Sequence, residues 1–132
     1  YKEGMPIFGT CAGTILLAKE IIGEPAQFGL LDISITRNAY GRQLESFESE
    51  LLVEKIGKIH GVFIRAPIIS RVGEGVTILA HYKNNPVIVE HNNILATTFH
   101  PELACEERIH AHFLEMAREY SKLKHMHHFL EE

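Results

Sequence analysis

The pentapeptide GTCAG at residues 9–13 places Cys11 in a setting that suits a nucleophile. Apolar residues before it predict a strand and those after it recur at helical spacing, so Cys11 stands in a strand-to-helix turn. Small residues two positions on either side permit a sharp, strained turn that lifts the central side chain clear, as in a nucleophile elbow. The helix start and a nearby imidazolium would bias the thiol toward thiolate, and the Ala12 N–H would face an oxyanion. A buried structural cysteine beside packing glycines is the alternative.

A second candidate site is FHPEL at residues 99–103, which ends an apolar run. In extended backbone, residues two apart point the same way, and Pro101 fixes the intervening φ, so we expect His100 and Glu102 to lie side by side. Glu102 would orient the imidazole, and His100 would accept the thiol proton and later protonate the leaving amine. Alone, this motif also fits a solvated surface turn. Together with Cys11 it predicts a triad, in an order that differs from α/β-hydrolases, where the acid precedes the histidine.

Two arginines could anchor a substrate. Arg37 and Arg65 each follow a predicted strand. A guanidinium is a natural partner for the carboxylate of an amino-acid substrate. A solvated surface arginine is an equally good interpretation of each.

The remaining histidines and the second cysteine predict no further site. His110 and His112 are two apart on a helix and face different directions, so they are poor joint ligands. Cys105 precedes Glu106 and Glu107, whose charges would raise the pKa of its thiol and make it unreactive. No set of residues has the spacing of a tetrahedral metal site, so we expect neither a metal nor another cofactor.

An α/β framework must position these residues. Residues 5–8 predict a strand, residues 11–22 a helix ended by GEP, and residues 106–123 a closing amphipathic helix. The middle of the chain is rich in short strands, predicted at residues 30–36, 47–53, 62–64, 76–80, 87–90 and 94–99. Only one strand-to-helix alternation is visible where a doubly wound sheet would show several, so we expect the missing units to lie upstream.

Composition limits the possible class of protein. The 132 residues, 45% of them hydrophobic, suffice for one core, so we expect a single, N-terminally incomplete domain over residues 1–132 with a polar tail at 124–132. The net charge of -4 and the scattered basic residues argue against a nucleic-acid partner. No apolar run approaches the roughly 20 residues of a membrane span, so we expect a soluble, cytoplasmic protein without membrane contact. Two cysteines in unrelated contexts suit a reducing compartment.

From Met5 to about Tyr120 the chain resembles the glutaminase subunits of pyridoxal 5'-phosphate synthase (PdxT type), within the class I glutamine amidotransferase family. The GxCxG and HPE motifs are shared across class I glutaminases. Three segments look specific to this branch: RNAYGRQ (residues 37–43), SFE (46–48) and FIRAP (63–67). The resemblance implies a flavodoxin-like α/β fold.

The resemblance also implies roles for particular residues. Cys11, His100 and Glu102 would form the catalytic triad, and the glutamine-binding residues would be Arg37, Ile64 and Arg65. L-glutamine would be hydrolysed to glutamate and ammonia, and the ammonia would pass to the synthase subunit, which builds pyridoxal 5'-phosphate (vitamin B6). In this family the glutaminase is weakly active until the synthase docks.

One segment of the family pattern has no match in this sequence. Family members carry Gly-Gly-Glu-Ser upstream of the nucleophile turn, where it contributes to the oxyanion hole and glutamine binding. We expect this segment and the first strands to be missing from the chain. Two other functions stay open: a related cysteine hydrolase or peptidase, against which Arg37 and Arg65 argue, and a non-catalytic glutaminase-like interaction subunit, against which the three triad residues argue.

Overall fold

The computed structural model describes residues 5–37, 46–104 and 107–131, with side chains as far as residue 122. The predicted polar connection at residues 37–43 lies outside this part of the chain apart from Arg37, and so does Cys105. The helices are α1 (Ala12–Leu17) and α2 (Glu107–Glu131), with a 3-10 helix at Pro101–Ala104. The strands are β1 (Ile7–Thr10), β2 (Ala18–Ile21), β3 (Leu31–Thr36), β4 (Ser46–Val53), β5 (Gly57–Ile64), β6 (Ile68–Val72), β7 (Thr77–Tyr82), β8 (Asn85–His91) and β9 (Ile94–Thr97).

The central sheet has the strand order β1-β9-β8-β7. Strand β1 is parallel to β9, with Gly9 opposite Ala96 and Thr10 opposite Thr97, and the other two pairings are antiparallel. Strands far apart in the sequence are therefore neighbours, and the carboxyl ends of β1 and β9 lie at the same end of the sheet.

Smaller sheets cover the two faces of the central sheet. The antiparallel β4–β5 hairpin and α2 share one core cluster with the central strands, and α1 with the β2-β3-β6 sheet shares the other. Alternation along the central strands separates the clusters: Phe8 and Leu95 face the first, whereas Ile7 and Ile94 face the second. The result is a mixed α/β arrangement of three layers.

The first helix is shorter than its sequence pattern predicts. It ends at Leu17, and β2 follows directly and pairs in parallel with β3. The carbonyls of Leu16 and Leu17 accept hydrogen bonds from the returning chain, from the N–H groups of Phe28 and Leu30. The predicted helix over residues 11–22 is therefore wrong beyond Leu17, because pairing with β3 replaces the next helical turn.

Strand pairing also adds one strand to the predicted set and lengthens another. Strand β6 was not predicted, since Ser70 and Arg71 interrupt its apolar pattern, yet it pairs with β3. Strand β5 begins at Gly57, well before the predicted residues 62–64, because it pairs with the whole of β4.

The closing helix is confirmed and is longer than predicted. Its buried side includes Ile109, which has no exposed surface, and the ring of His112, whose Nε2 lies 2.7 Å from Glu90 Oε1 on β8. Helix α2 continues past residue 123 to Glu131, through most of the residues predicted as a polar tail. The division of the chain into a single domain and a polar tail stays a prediction. No helix in the described ranges is long and apolar enough to cross a membrane.

Candidate active site

Cys11 occupies a strained turn between β1 and α1. Its φ of 47° and ψ of -103° lie in a region that residues with a side chain rarely adopt, at a cost of about 1–3 kcal/mol. The Cys11 N–H donates to the carbonyl of Thr97, the last residue of β9, at 2.9 Å. The half-buried thiol lies 3.7 Å from the carbonyl oxygen of Ile64. The predicted strand and strained turn around Cys11 are confirmed, and the predicted helix is confirmed as far as Leu17.

The two glycines of the pentapeptide differ in the space around them. A Cβ on Gly9 would lie 2.7 Å from Leu17 Cδ1 and 3.2 Å from the backbone of Gly13 and of Thr14, so α1 is pressed against β1 at this point. A Cβ on Gly13 would meet nothing within 4 Å. Close approach therefore accounts for Gly9, and the space around Gly13 does not require a glycine there.

His100 and Glu102 form a direct pair. Nδ1 of His100 lies 2.8 Å from Oε1 of Glu102, and the histidine side chain is 27% exposed. The two residues do not lie on extended backbone as predicted, because Pro101 begins a 3-10 helix that runs to Ala104. Their proximity is confirmed, but the tight turn brings the carboxylate back to the ring.

The segments that carry Cys11 and His100 follow strands whose carboxyl ends are neighbours. Cys11 follows β1, His100 lies three residues beyond β9, and Ile64 ends β5. The His100 N–H donates to the carbonyl of Val62 on β5 at 3.0 Å, which places β5 beside the histidine. Ligands in α/β proteins bind at the carboxyl ends of strands, so the carboxyl ends of β1 and β9 mark the candidate site.

The electrostatics of the thiol differ from the expectation. Burial raises the pKa of the Cys11 thiol above its ordinary value, the Ala12 backbone N–H lowers it, and the charge of Glu102 raises it further. The prediction that the thiol is biased toward thiolate is wrong here, because desolvation outweighs the N–H at the start of a six-residue helix. Burial therefore favours the thiol form of Cys11 over the thiolate.

Opposing influences act on the carboxyl group of Glu102. Desolvation acts to raise the pKa of Glu102, but the net effect lowers it below its usual value. Its own backbone N–H and the His100 side chain donate to the carboxylate, and charge on His100 and His110 adds to this. Glu102 is therefore ionised near neutral pH and accepts the hydrogen of His100 Nδ1.

The predicted glutamine-binding residues are placed differently from one another. Ile64 lies beside Cys11, its side chain is 41% exposed, and the exposed Arg65 follows with a φ of 46°. Arg37 lies at the end of β3, where its Nη1 is 3.1 Å from an oxygen of Glu24. The roles of all three residues stay predictions.

Sequence reasoning missed two residues near the site. Thr14, in the first turn of α1, is fully buried with its hydroxyl between two backbone carbonyls, and only its place three residues after Cys11 could have drawn attention to it. His110 packs its ring edge-on against Phe8, with the ring centroids 5.4 Å apart, and its charge helps to lower the pKa of Glu102. A helical wheel cannot show that contact.

Comparison with known proteins gives consistent matches. A sequence model described as "SNO glutamine amidotransferase family" matches residues 1–119. The "Pyridoxal 5'-phosphate synthase subunit PdxT" of a Thermus thermophilus strain is 54% identical over 119 residues, which cover 88% of this chain and 62% of that protein. The subunit of the same name from Pseudothermotoga lettingae is 54% identical over 118 residues, which cover 87% and 60%. The chain thus spans less than two thirds of the length of these relatives.

Solved structures agree with this result. A crystal structure of a glutamine amidotransferase aligns with a TM-score of 0.81 and 54% identity, over 85% of this chain and 60% of that one. A putative GMP synthase protein from Thermoplasma acidophilum aligns with a TM-score of 0.65 and 19% identity over 90% of this chain and 60% of that one, which shows the fold alone. The predicted α/β fold class is confirmed.

Proposed function

The chain belongs to the SNO glutamine amidotransferase family, and we propose on this basis that it is the catalytic part of a glutaminase subunit of pyridoxal 5'-phosphate synthase. It hydrolyses L-glutamine to glutamate and ammonia, with Cys11, His100 and Glu102 as the triad. The observation that carries this proposal is the His100–Glu102 pair, with Nδ1 and Oε1 2.8 Å apart, at the same end of the sheet as the strained cysteine turn.

The first step needs a base. Because a carboxylate can only accept, Nδ1 of His100 carries the hydrogen shared with Glu102, and Nε2 is left to take the thiol proton. The raised pKa of Cys11 makes this transfer necessary at neutral pH. The resulting thiolate attacks the side-chain amide carbon of glutamine, and the Ala12 N–H stabilises the oxyanion.

The second half of the reaction returns the proton. His100 protonates the amide nitrogen, the carbon–nitrogen bond breaks, and ammonia leaves a glutamyl thioester on Cys11. Water, deprotonated by His100, then attacks the thioester carbonyl, and glutamate and the free thiol are released. Glu102 stabilises the imidazolium formed in each half.

Three residues are proposed to bind the glutamine substrate. The backbone carbonyl of Ile64 lies beside the Cys11 thiol, and the next residue, Arg65, supplies a guanidinium suited to the α-carboxylate of glutamine. Arg37 is the third proposed glutamine-binding residue, and binding there would require its guanidinium to exchange Glu24 for the substrate. The ammonia passes to the synthase subunit, the proposed protein partner.

The test is glutamate release from L-glutamine by this chain and by Cys11→Ala, each with and without the partner synthase subunit. We expect synthase-stimulated release that disappears in Cys11→Ala, with both proteins giving the same circular dichroism spectrum. A folded chain that releases no glutamate in either condition, yet binds the synthase, would be a non-catalytic interaction subunit, and this result would refute the proposal.

A further inference from the structure

We infer that Thr14 is a positioning residue, whose hydroxyl holds the Cys11 turn on the end of β9, the strand that leads to His100. No residue of this kind is part of the predicted triad or the predicted glutamine pocket. Its effect on catalysis rests on the proposed function, but its effect on the thiol does not.

The contacts of the hydroxyl are short and fully buried. Thr14 Oγ1 lies 2.6 Å from the carbonyl oxygen of Thr97 and 3.1 Å from that of Gly9. A hydroxyl has one hydrogen to donate, and the shorter distance assigns it to Thr97. Thr14 and Thr97 are both 0% exposed, so solvent does not replace this bond when the hydroxyl is removed.

The Thr97 carbonyl receives two donors from opposite sides of the nucleophile turn. The Cys11 N–H approaches it at 2.9 Å, and the Thr14 hydroxyl approaches it at 2.6 Å. The turn is thus held at its start and at the first turn of α1 by one acceptor. Because Thr97 is three residues before His100, the same anchor links the nucleophile to the base.

The strain at Cys11 explains why an anchor is needed. A φ of 47° persists only when surrounding contacts outweigh its cost. Cys11 is the N-cap residue of α1, and within the described residues its side chain makes no capping hydrogen bond. Helix α1 has only six residues, so it contributes little hydrogen bonding of its own. Thr14 provides a tertiary bond from the first turn of α1 to the end of β9.

The chain contains a matched control. Thr98 is also 0% exposed and lies next to Thr97, but in the described part of the chain its hydroxyl has no hydrogen-bond partner. Thr14→Val and Thr98→Val therefore remove the same atom from equally buried positions, and only the first change breaks a contact to the turn. Thr14→Ser keeps the hydroxyl and removes a methyl group.

The experiment measures the pH dependence of Cys11 alkylation by iodoacetamide in the whole chain carrying Thr14→Val, Thr14→Ser or Thr98→Val. We expect the alkylation midpoint of Thr14→Val to fall toward that of N-acetylcysteine amide, because a released turn exposes the thiol and burial has the largest influence on the thiol pKa. Thr14→Ser and Thr98→Val should keep the midpoint of the unmodified chain. If Thr14→Val does not fold, Thr14→Ala compared with Thr14→Ser gives the same test, because that pair differs only by the hydroxyl.

Glutamate release with the synthase provides the second readout. We expect Thr14→Val to lower kcat by roughly 10- to 100-fold with little change in KM, the effect of a displaced nucleophile on a bound substrate. An alkylation midpoint in Thr14→Val equal to that of Thr98→Val would overturn the inference. An unmodified chain without glutaminase activity would count against the proposed function, and the alkylation result would still decide the role of Thr14.

Discussion

Replacing each glycine of the nucleophile turn by alanine should have opposite effects on stability. The Cβ of Gly9→Ala would meet Leu17 Cδ1 at 2.7 Å and the Thr14 backbone nitrogen at 3.2 Å. Leu17 is 5% exposed and cannot swing into solvent, so α1 must move away from β1 by some tenths of an ångström. Gly13→Ala adds its Cβ to open space inside a helix.

The magnitudes follow from packing and helix propensity. Forcing an extra carbon into a packed site costs about 1–3 kcal/mol, so Gly9→Ala should lower the free energy of unfolding by this amount. Alanine in place of glycine in a helix interior contributes about 0.5–1 kcal/mol, so Gly13→Ala should raise it. At roughly 4 °C per kcal/mol, Tm should fall by about 4–12 °C for Gly9→Ala and rise by about 2–4 °C for Gly13→Ala.

Thermal unfolding followed by circular dichroism measures both changes under identical conditions, and each variant is the control for the other. Equal destabilisation by the two substitutions would refute the reasoning, because it would mean that the turn needs glycine at both positions for its backbone conformation. A neutral Gly9→Ala would show that Leu17 and α1 yield without cost.

Other predictions concern the charges of the site and the core behind it. The iodoacetamide alkylation rate of Cys11 should rise with pH to a midpoint above that of N-acetylcysteine amide, because burial raises the pKa of the Cys11 thiol; a midpoint at or below the reference would contradict this. Glu102→Gln should lower that midpoint, since the Glu102 charge raises the pKa of Cys11, and should reduce glutamate release by roughly 10²- to 10⁴-fold through loss of the oriented His100 base; an unchanged midpoint and rate would exclude both roles. Phe63→Ala, which empties a fully buried position stacked 4.6 Å from Phe47, should cost about 3–5 kcal/mol in urea unfolding, and a loss below about 1 kcal/mol would show that the core refills the space.

Local chemistry was readable from the sequence where it depends on near neighbours. The strand, turn and helix around Cys11 follow from small residues and short-range periodicity, and α2 follows from a long helical repeat. The neighbourhood of His100 and Glu102 was also predictable, because the residues are only two apart. The backbone that joins them was not, since both an extended segment and a 3-10 turn fit Pro101.

Features that depend on partners distant in the sequence could not be predicted, because they arise from the packing of the whole chain. Pairing with β3 ended α1 at Leu17, and parallel pairing of β1 with β9 brought Cys11 and Thr97 together from distant parts of the chain. The direction of the Cys11 pKa shift depends on burial by the whole fold, which no motif contains. Thr14 gained its two carbonyl contacts in the same way. Residue types and short-range spacing thus indicate which groups could react, whereas non-local packing sets how those groups are held.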